Sequence, residues 1–360
     1  MAAPIDNQDE LPTKNILITG AGGLIGPLLA ARLLSIPHYR LLLTDLADPI
    51  IPPNVPYPHH ATTLKGDITS PAFITTLLTH PAIQPLHAVF LFHGIMSATS
   101  EANPTLSLAV NVDSIRALTT ALQTHHPPSN DDNNKKNNSS NNNNPVRVIY
   151  ASSLAVFGPP FPSPTPTAPT HKVPPHWAPT PQSTYGAHKL VSEVLLNEAH
   201  RRGALDVVVA RLPTVSVRPG KPTGAASSFL SGIIREPMAG VECVVPLRDR
   251  GFRAFLASPR TVVENLVRVL GWGSGVLPGH VRQVLFPGIP VSVQELRDAL
   301  AKYGGEERLG LIREVEDEGL ERILRGWAED FDITESLRLG LVVDESGDVL
   351  VREYVEGLGK

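Results

Sequence analysis

Tyr185 and Lys189 stand four residues apart in the stretch Ser183-Thr-Tyr-Gly-Ala-His-Lys189. On a helix that spacing puts both side chains on one face, one turn apart. A tyrosine hydroxyl titrates near ~10 in water. An ammonium one turn away favours the phenolate, which makes the tyrosine a usable base nearer neutral pH. Ser153 follows the apolar run Val146–Tyr150 and Ala151-Ser152. It is placed to hydrogen-bond the oxygen that loses or gains the proton. A Tyr-x-x-x-Lys pair alone is more often a solvated helix face. Its weight here comes from register, behind a Ser-Ser strand end and downstream of a glycine-rich turn.

That turn lies in Asn15–Ser35, NILITGAGGLIGPLLAARLLS. Asn15–Thr19 has the length and apolarity of a buried strand. Gly20, Gly23 and Gly26 follow. Leu24, Leu28, Leu29, Leu33 and Leu34 then recur at helical spacing, with Pro27 in the first turn, where its missing N–H costs nothing. A helix N-terminus presents unpaired N–H groups and a positive dipole end. Phosphates reach the backbone only where no Cβ intervenes. Strand, turn and helix together predict a dinucleotide site at Gly20, Gly23, Leu24, Ile25 and Gly26, with Gly26 also letting the helix pack close on the strand. The spacing is G-x-x-G-x-x-G, not the commoner G-x-G-x-x-G, and a glycine-rich turn alone is weak evidence. The next strand, Leu41–Thr44, ends in Asp45, about 20 residues past the last glycine, where an acid binds the adenosine ribose hydroxyls. Leu46 follows, with no adjacent arginine for a 2′-phosphate, so NAD is favoured over NADP.

These residues need strands and helices to hold them. Pro49–Pro58 contains five prolines and reads as an extended loop. Asp67, in Gly66-Asp67-Ile68, precedes a short helix at Pro71–Thr79 and reads as its N-cap or as a cofactor contact. Ala88–Phe92 is a strand ending in His93-Gly94, at the position where ligands bind in doubly wound sheets. His93 reads as a satisfied or cofactor-packing histidine ahead of a base or metal ligand. Leu108, Val112, Ile115, Leu118 and Leu122 mark one long helix that includes Asn111. Residues 129–144 hold no apolar side chain, so 128–145 reads as a disordered insertion. The Tyr185 helix is expected to turn Leu190, Val191, Val194 and Leu195 inward. Asp206–Leu212 is a further buried strand. Beyond it, Thr261–Leu270 and Leu320–Trp327 read as helices. Ser292-x-x-Glu295 is a capping box with Gly304-Gly305 as the stop. Asp348–Leu358 reads as a helix, with a hairpin turning at Gly347 as the rival.

Composition bounds the alternatives. The chain has 360 residues, 42% hydrophobic and 18% charged, with net charge −4. It is long enough for one large or two ordinary domains. No basic surface implies nucleic acid as a partner. The single cysteine, Cys243, forms no internal disulfide, and no Cys/His cluster has metal-ligand spacing, so no metal is expected. Residues 1–14 read as a disordered polar tail without a signal-peptide core, and no apolar run is long enough to span a membrane. A cytoplasmic protein is expected.

Gly20-x-x-Gly23-x-x-Gly26, Asp45, Gly66-Asp67, Ser152-Ser153-x-x-Val-Phe-Gly158 and Tyr185-x-x-x-Lys189, in this order, resemble the extended short-chain dehydrogenase/reductase family, the NAD-dependent epimerase/dehydratase group, over about residues 14–300. The resemblance implies an α/β fold. A Rossmann-type doubly wound parallel sheet at 15–215 would carry NAD. A smaller C-terminal substrate domain would occupy most of 216–360, with some segments returning to the first. It implies Ser153, Tyr185 and Lys189 as catalytic residues. The cofactor set would be Gly20, Gly23, Leu24, Ile25, Gly26, Asp45, Asp67, Ile68, His93, Gly94, Tyr185, Lys189, Pro213 and Thr214, with Asp67 at the adenine. Asn111 matches a family asparagine, here read as structural. A homodimer through the helices carrying Asn111 and Tyr185 is implied as well.

Two stretches depart from the family pattern. Phe157 stands where tyrosine is frequent, and Arg211-Leu-Pro-Thr-Val-Ser-Val-Arg-Pro-Gly220 replaces a frequent Asn-Val-Tyr-Gly-Pro. Residues 211–237 instead look like the members that oxidise the C2 hydroxyl of a four-carbon sugar acid, such as D-erythronate, with NAD. Arg218 and Arg235 are candidates to grip its carboxylate. Ser227 and Ser228 are candidates for its hydroxyls, beside Ser153 and Tyr185. The rival for Arg235 is a pair with Glu236. The rival functions are a nucleotide-sugar epimerase or dehydratase that retains NAD, and a non-catalytic NAD(H) sensor.

Overall fold

The computed structural model describes residues 11–128, 144–162, 172–222 and 225–358. Most of the predicted tail, most of the Asn-rich insertion and part of the proline-rich run 159–181 lie outside the described residues.

The chain begins with β1 (Lys14–Thr19), α1 (Ile25–Leu33), β2 (Tyr39–Asp45), β3 (Ala61–Lys65), α2 (Pro71–Leu78) and β4 (Leu86–Leu91). There follow α3 (Ser97–Ala102), α4 (Pro104–Leu108), α5 (Ser114–His125), β5 (Arg147–Ser153), α6 (Thr184–Arg201) and β6 (Asp206–Leu212). Next come β7 (Thr214–Val215), α7 (Ser228–Met238), β8 (Cys243–Val245), β9 (Arg253–Ala257), α8 (Pro259–Leu270) and β10 (Gln283–Leu285). Seven of these strands form one sheet in the order β10-β6-β5-β4-β1-β2-β3, parallel throughout. β1 thus has β2 on one side and β4 on the other, and the strand order reverses there. In such sheets the crevice at the carboxyl ends of the strands, at the reversal, is where ligands bind.

Both faces of the sheet are covered, which is why its strands read as near-continuous apolar runs. Ile16 and Ile18 pack with Leu29 and Leu33 of α1 and with Val262, Leu266 and Val269 of α8. Leu17, Val148 and Val207 pack with Leu77 of α2, Ile115 and Leu118 of α5, and Leu196 of α6. α8 and β10 are therefore parts of the sheet unit, although they follow residue 216.

A smaller unit forms from what remains. β9 pairs with β7 and with β11 (Ile289–Ser292), and β8 pairs with β12 (Ile312–Glu314). Leu230 and Ile233 of α7, Leu296 and Leu300 of α9 (Val293–Gly304), Leu324 of α10 (Glu318–Arg325) and Val351 of α12 (Gly347–Leu358) share its core. Between α10 and α12 lies the short α11 (Thr334–Arg338). The capping box forms as read: Glu295 N–H donates to Ser292 Oγ at 3.1 Å, and Ser292 N–H to Glu295 at 2.7 Å. Residues 348–358 are helical, not a hairpin.

Two expectations about helices need correction. The Leu108–Leu122 pattern is not one helix: Ala109–Asp113 is a π turn between α4 and α5, and Leu108 is 43% exposed. The extra residue in that turn leaves Leu108 off the stripe, while Val112, Ile115, Leu118 and Leu122 are buried as expected, with Asn111 beside them. On α6, Val191 and Val194 are exposed, and the buried face is Gly186, Lys189, Ser192, Glu193, Leu196 and Ala199. A polar stripe faces inward because each of its long polar groups has a partner there.

At the opposite end of the sheet Asp206 is shared by two guanidinium groups. Arg147 pairs with one carboxylate oxygen and Arg282, 1% exposed, with the other at 3.1 Å. Arg147 also donates to the carbonyls of Val269 and Leu270, and Arg282 to that of Val207, so the cluster fastens α8 and β10 to the sheet. Replacing Asp206 by alanine leaves buried charge without a counter-ion. A loss of about 3–5 kcal/mol is expected, read by denaturant unfolding.

Candidate active site

The glycine turn has the geometry of a cradle. Gly20 adopts φ +68°, and a Cβ there would lie 2.5 Å from His93 N. A Cβ on Gly26 would lie 2.7 Å from Ala21 Cα, so α1 packs as close to the end of β1 as the motif requires. α1 starts at Leu24 without a side-chain cap, leaving its first N–H groups to a ligand. Asp45 folds onto the same turn, accepting from Gly22 N–H at 2.9 Å. A Cβ on Gly22, outside the motif, would crowd that carboxylate oxygen at 3.2 Å. These residues fit a dinucleotide, with the pyrophosphate at the turn and a ribose at Asp45.

Asp67 does not cap α2. Its carboxylate accepts from Thr69 N–H at 2.8 Å, and the cap is Ser70, which accepts from Phe73 N–H. His93 bridges Thr19 Oγ1 at 2.7 Å and Ser114 Oγ at 2.9 Å. Burial, with the Lys189 charge nearby, pushes its pKa down to about 3. It is a neutral, satisfied histidine that ties β1 and β4 to α5.

A cleft of about 370 Å³ opens at the carboxyl ends of the strands. Gly20, Gly23, Leu24, Ile25 and Gly94 line one part of it, and Ser153, Tyr185 and Lys189 another. Pro213, Thr214, Arg218 and Ser227 line a third. Gly26, Asp45, Asp67, Ile68, His93, Ser228 and Arg235 do not line it.

Ser183 caps α6 by accepting from Gly186 N–H at 3.1 Å. A Cβ on Gly186 would lie 2.1 Å from Ala155 O, so only glycine lets the start of α6 touch the end of β5. Two turns on, Glu193, fully buried, pairs with Arg211 of β6 at 2.7 Å and accepts from Ser152 Oγ. Asn111 accepts from Ile95 N–H at 2.7 Å and donates to Ile95 O at 3.0 Å, while Ser192 Oγ donates to its carbonyl at 2.7 Å. Asn111 therefore clamps the β4 loop to α6.

Lys189 Nζ donates to Ala151 O at 2.7 Å and lies 4.7 Å from the Tyr150 ring centre and 5.6 Å from that of Tyr185. Burial lowers its pKa to about 8, against the pull of Glu193. The Tyr185 pKa is raised by burial; a hydrogen bond with Ser153 and the charge of Arg218 act the other way. Lys189 Nζ is engaged by a carbonyl and a ring, and the Arg218 charge is a further cation that favours the phenolate.

Arg218 Nε donates to Val215 O at 2.9 Å, and its Nη2 to Ser227 Oγ at 3.4 Å. Ser227 precedes α7, which also starts without a side-chain cap. Arg235 sits behind this group, ion-paired with Glu236 and donating to Arg218 O at 3.1 Å. Sequence reasoning missed Ser97, Ser183, Arg253 and Trp327, which all line the cleft. Trp327 follows α10, far along the chain, with no local pattern to mark it.

Two outcomes follow from this geometry. Gly20→Ala should weaken NAD binding at least ~100-fold by calorimetry, since the backbone must shift to admit the methyl. Lys189 has a lowered pKa in the fold, so below pH ~8 its burial as an ammonium opposes folding, and this cost fades as pH rises to the unfolded value of ~10.4. Lys189→Met should therefore gain more stability over the parent at pH 7 than at pH 10, by thermal unfolding, while losing activity.

Residues 16–258 match the model of the NAD dependent epimerase/dehydratase family. A D-erythronate dehydrogenase of Haemophilus influenzae is 32% identical over 95% of this chain and 98% of its own. One of Cupriavidus necator is 33% identical over 96% and 99%. A crystal structure described as a nucleoside-diphosphate-sugar epimerase from Agrobacterium tumefaciens superposes with a TM-score of 0.83 at 29% identity, covering 100% of this chain and 98% of that one. With the glycine cradle, Asp45 and the Ser153–Tyr185–Lys189 cleft in place, the chain belongs to the NAD-dependent epimerase/dehydratase family and is an oxidoreductase with NAD as its cofactor.

Proposed function

We propose that the protein oxidises the C2 hydroxyl of a small sugar acid such as D-erythronate to the 2-oxo acid. The observation that carries this reading is the juxtaposition of Arg218 and Ser227 with Ser153, Tyr185 and Lys189 in one cleft. A guanidinium grips a carboxylate at one end, and the base stands at the neighbouring carbon. The two relatives named D-erythronate dehydrogenase support the substrate class.

NAD, when bound, supplies the acceptor for the hydride leaving C2. Arg218 orients the substrate carboxylate, with Ser227 beside it. Ser153 donates to the C2 oxygen. Tyr185 takes the hydroxyl proton as its phenolate. Lys189 holds a positive charge near that phenolate and leaves one proton balance to solvent: alcohol and NAD become ketone, NADH and a proton.

A second reading is an epimerase of nucleotide sugars, favoured by the description of the 29% identical structure. Such an enzyme returns its hydride, so net NADH release separates the two. The exposed side chains Leu106, Leu108, Val191 and Val194 of α4 and α6 support a homodimer through these helices as part of the same proposal.

With D-erythronate and NAD, absorbance at the NADH band should rise continuously. Tyr185→Phe should lower kcat at least ~100-fold. Arg218→Ala should raise KM for the acid about 10–100-fold, the worth of a charged hydrogen-bonding pair. Turnover without dependence on Tyr185, or no turnover on any sugar acid with NAD bound, would overturn the reading.

A further inference from the structure

A second cavity, of about 490 Å³, adjoins the catalytic cleft. The two share one wall, made of Ala155, Ser183, Ile323 and Trp327. That wall starts at the chemistry itself: Ala155 is two residues past Ser153, and Ser183 two before Tyr185. None of it comes from the segment that carries Arg218 and Ser227. A sugar acid held by its carboxylate at Arg218, with C2 at Tyr185, has its remaining carbons free to run along this wall. Each further carbon lengthens the chain on this wall, which is also a wall of the second cavity.

The charge on the cavity has one sign. Arg322 and Arg325 of α10 line it, and no acidic residue does among the described residues. Arg325 is already committed, to Glu321 at 2.7 Å and Asp249 at 3.2 Å. The Arg322 side chain makes no hydrogen bond or ion pair among the described residues. A guanidinium without a counter-ion among those residues, at the edge of a hollow that continues a substrate cleft, favours an anion.

We propose that this second cavity is a subsite for the far end of a longer sugar acid, of five or six carbons, that carries a second, terminal anion, with Arg322 as the cation that receives it. The proposal rests on the sugar-acid reading of the catalytic cleft. The terminal group is a carboxylate or a phosphate; both offer the oxygen pair that a guanidinium fork binds. The reaction at C2 is unchanged, and the subsite sets chain length and terminal charge.

The test uses the full chain with NAD and substrates that share the C2 and C3 configuration of D-erythronate. These are D-erythronate itself, D-ribonate with a neutral terminus, ribarate with a terminal carboxylate, and D-ribonate 5-phosphate. Ribarate or the 5-phosphate should exceed D-ribonate in kcat/KM by about tenfold at low salt, and the advantage should shrink as salt rises. Whichever of the two is preferred identifies the terminal group. Arg322→Gln should remove that advantage and leave kcat/KM for D-erythronate and D-ribonate within about twofold. Binding to the NADH complex, read by calorimetry, should show the same dependence on Arg322. Equal kcat/KM for D-ribonate and both dianions, or an equal effect of Arg322→Gln on all four acids, would overturn the subsite. Turnover of none of the acids, with Arg322-dependent binding of a dianion, would overturn the sugar-acid reaction and keep the subsite; absence of that binding as well would overturn both.

Discussion

Glu193 has no contact with water, and its carboxylate is held by Arg211 and Ser152. Removing either charge of such a pair strands the other, which is why buried pairs fix geometry even where they add little net stability. This one joins three elements: α6 through Glu193, β6 through Arg211 and the end of β5 through Ser152. Those elements carry Tyr185 and Ser153, and β6 leads directly into Pro213-Thr214. The guanidinium also lies 4.8 Å from the Phe157 ring, so the residue that departs from the family pattern packs against the pair. The reach of Tyr185 towards Ser153 depends on a charge pair one helical turn beyond Lys189.

Behind the cleft stand polar groups that are spoken for. His93, Asn111 and Arg235 all have their hydrogen bonds inside the protein. Each looks chemically able and is structurally occupied. Arg218 and Ser227 differ in lining the cleft itself, beside Ser153, Tyr185 and Lys189.

Much of this was legible in the sequence because it is local. The glycine spacing, Asp45 and the Tyr185–Lys189 interval are short-range patterns, and each has one physical reading once the strand and helix around it are seen. The sheet was legible for the same reason, through apolar runs that only a strand covered on both faces tolerates. Three things were not legible. Val191 and Val194 read as inward by hydrophobicity, but the buried Lys189 and Glu193 find partners across the sheet, and no periodicity reports a partner. The π turn at Ala109–Asp113 breaks a helical stripe that still looks continuous in one dimension. Trp327 and Arg253 reach the cleft by tertiary folding alone, from a unit whose short strands and helices carry weak signals.

The hydrogen bond from Gly22 N–H to Asp45 has a bearing on which dinucleotide is accepted. The carboxylate accepts from Gly22 N–H through one oxygen and from Ala47 N–H through the other, which orients it and leaves its remaining lone pairs for ribose hydroxyls. A 2′-phosphate would meet a different situation. It would bring two negative charges against an aspartate held towards the turn by two backbone N–H groups. The acid placed for the ribose is tied to the glycine turn placed for the pyrophosphate, so the two form a single recognition device.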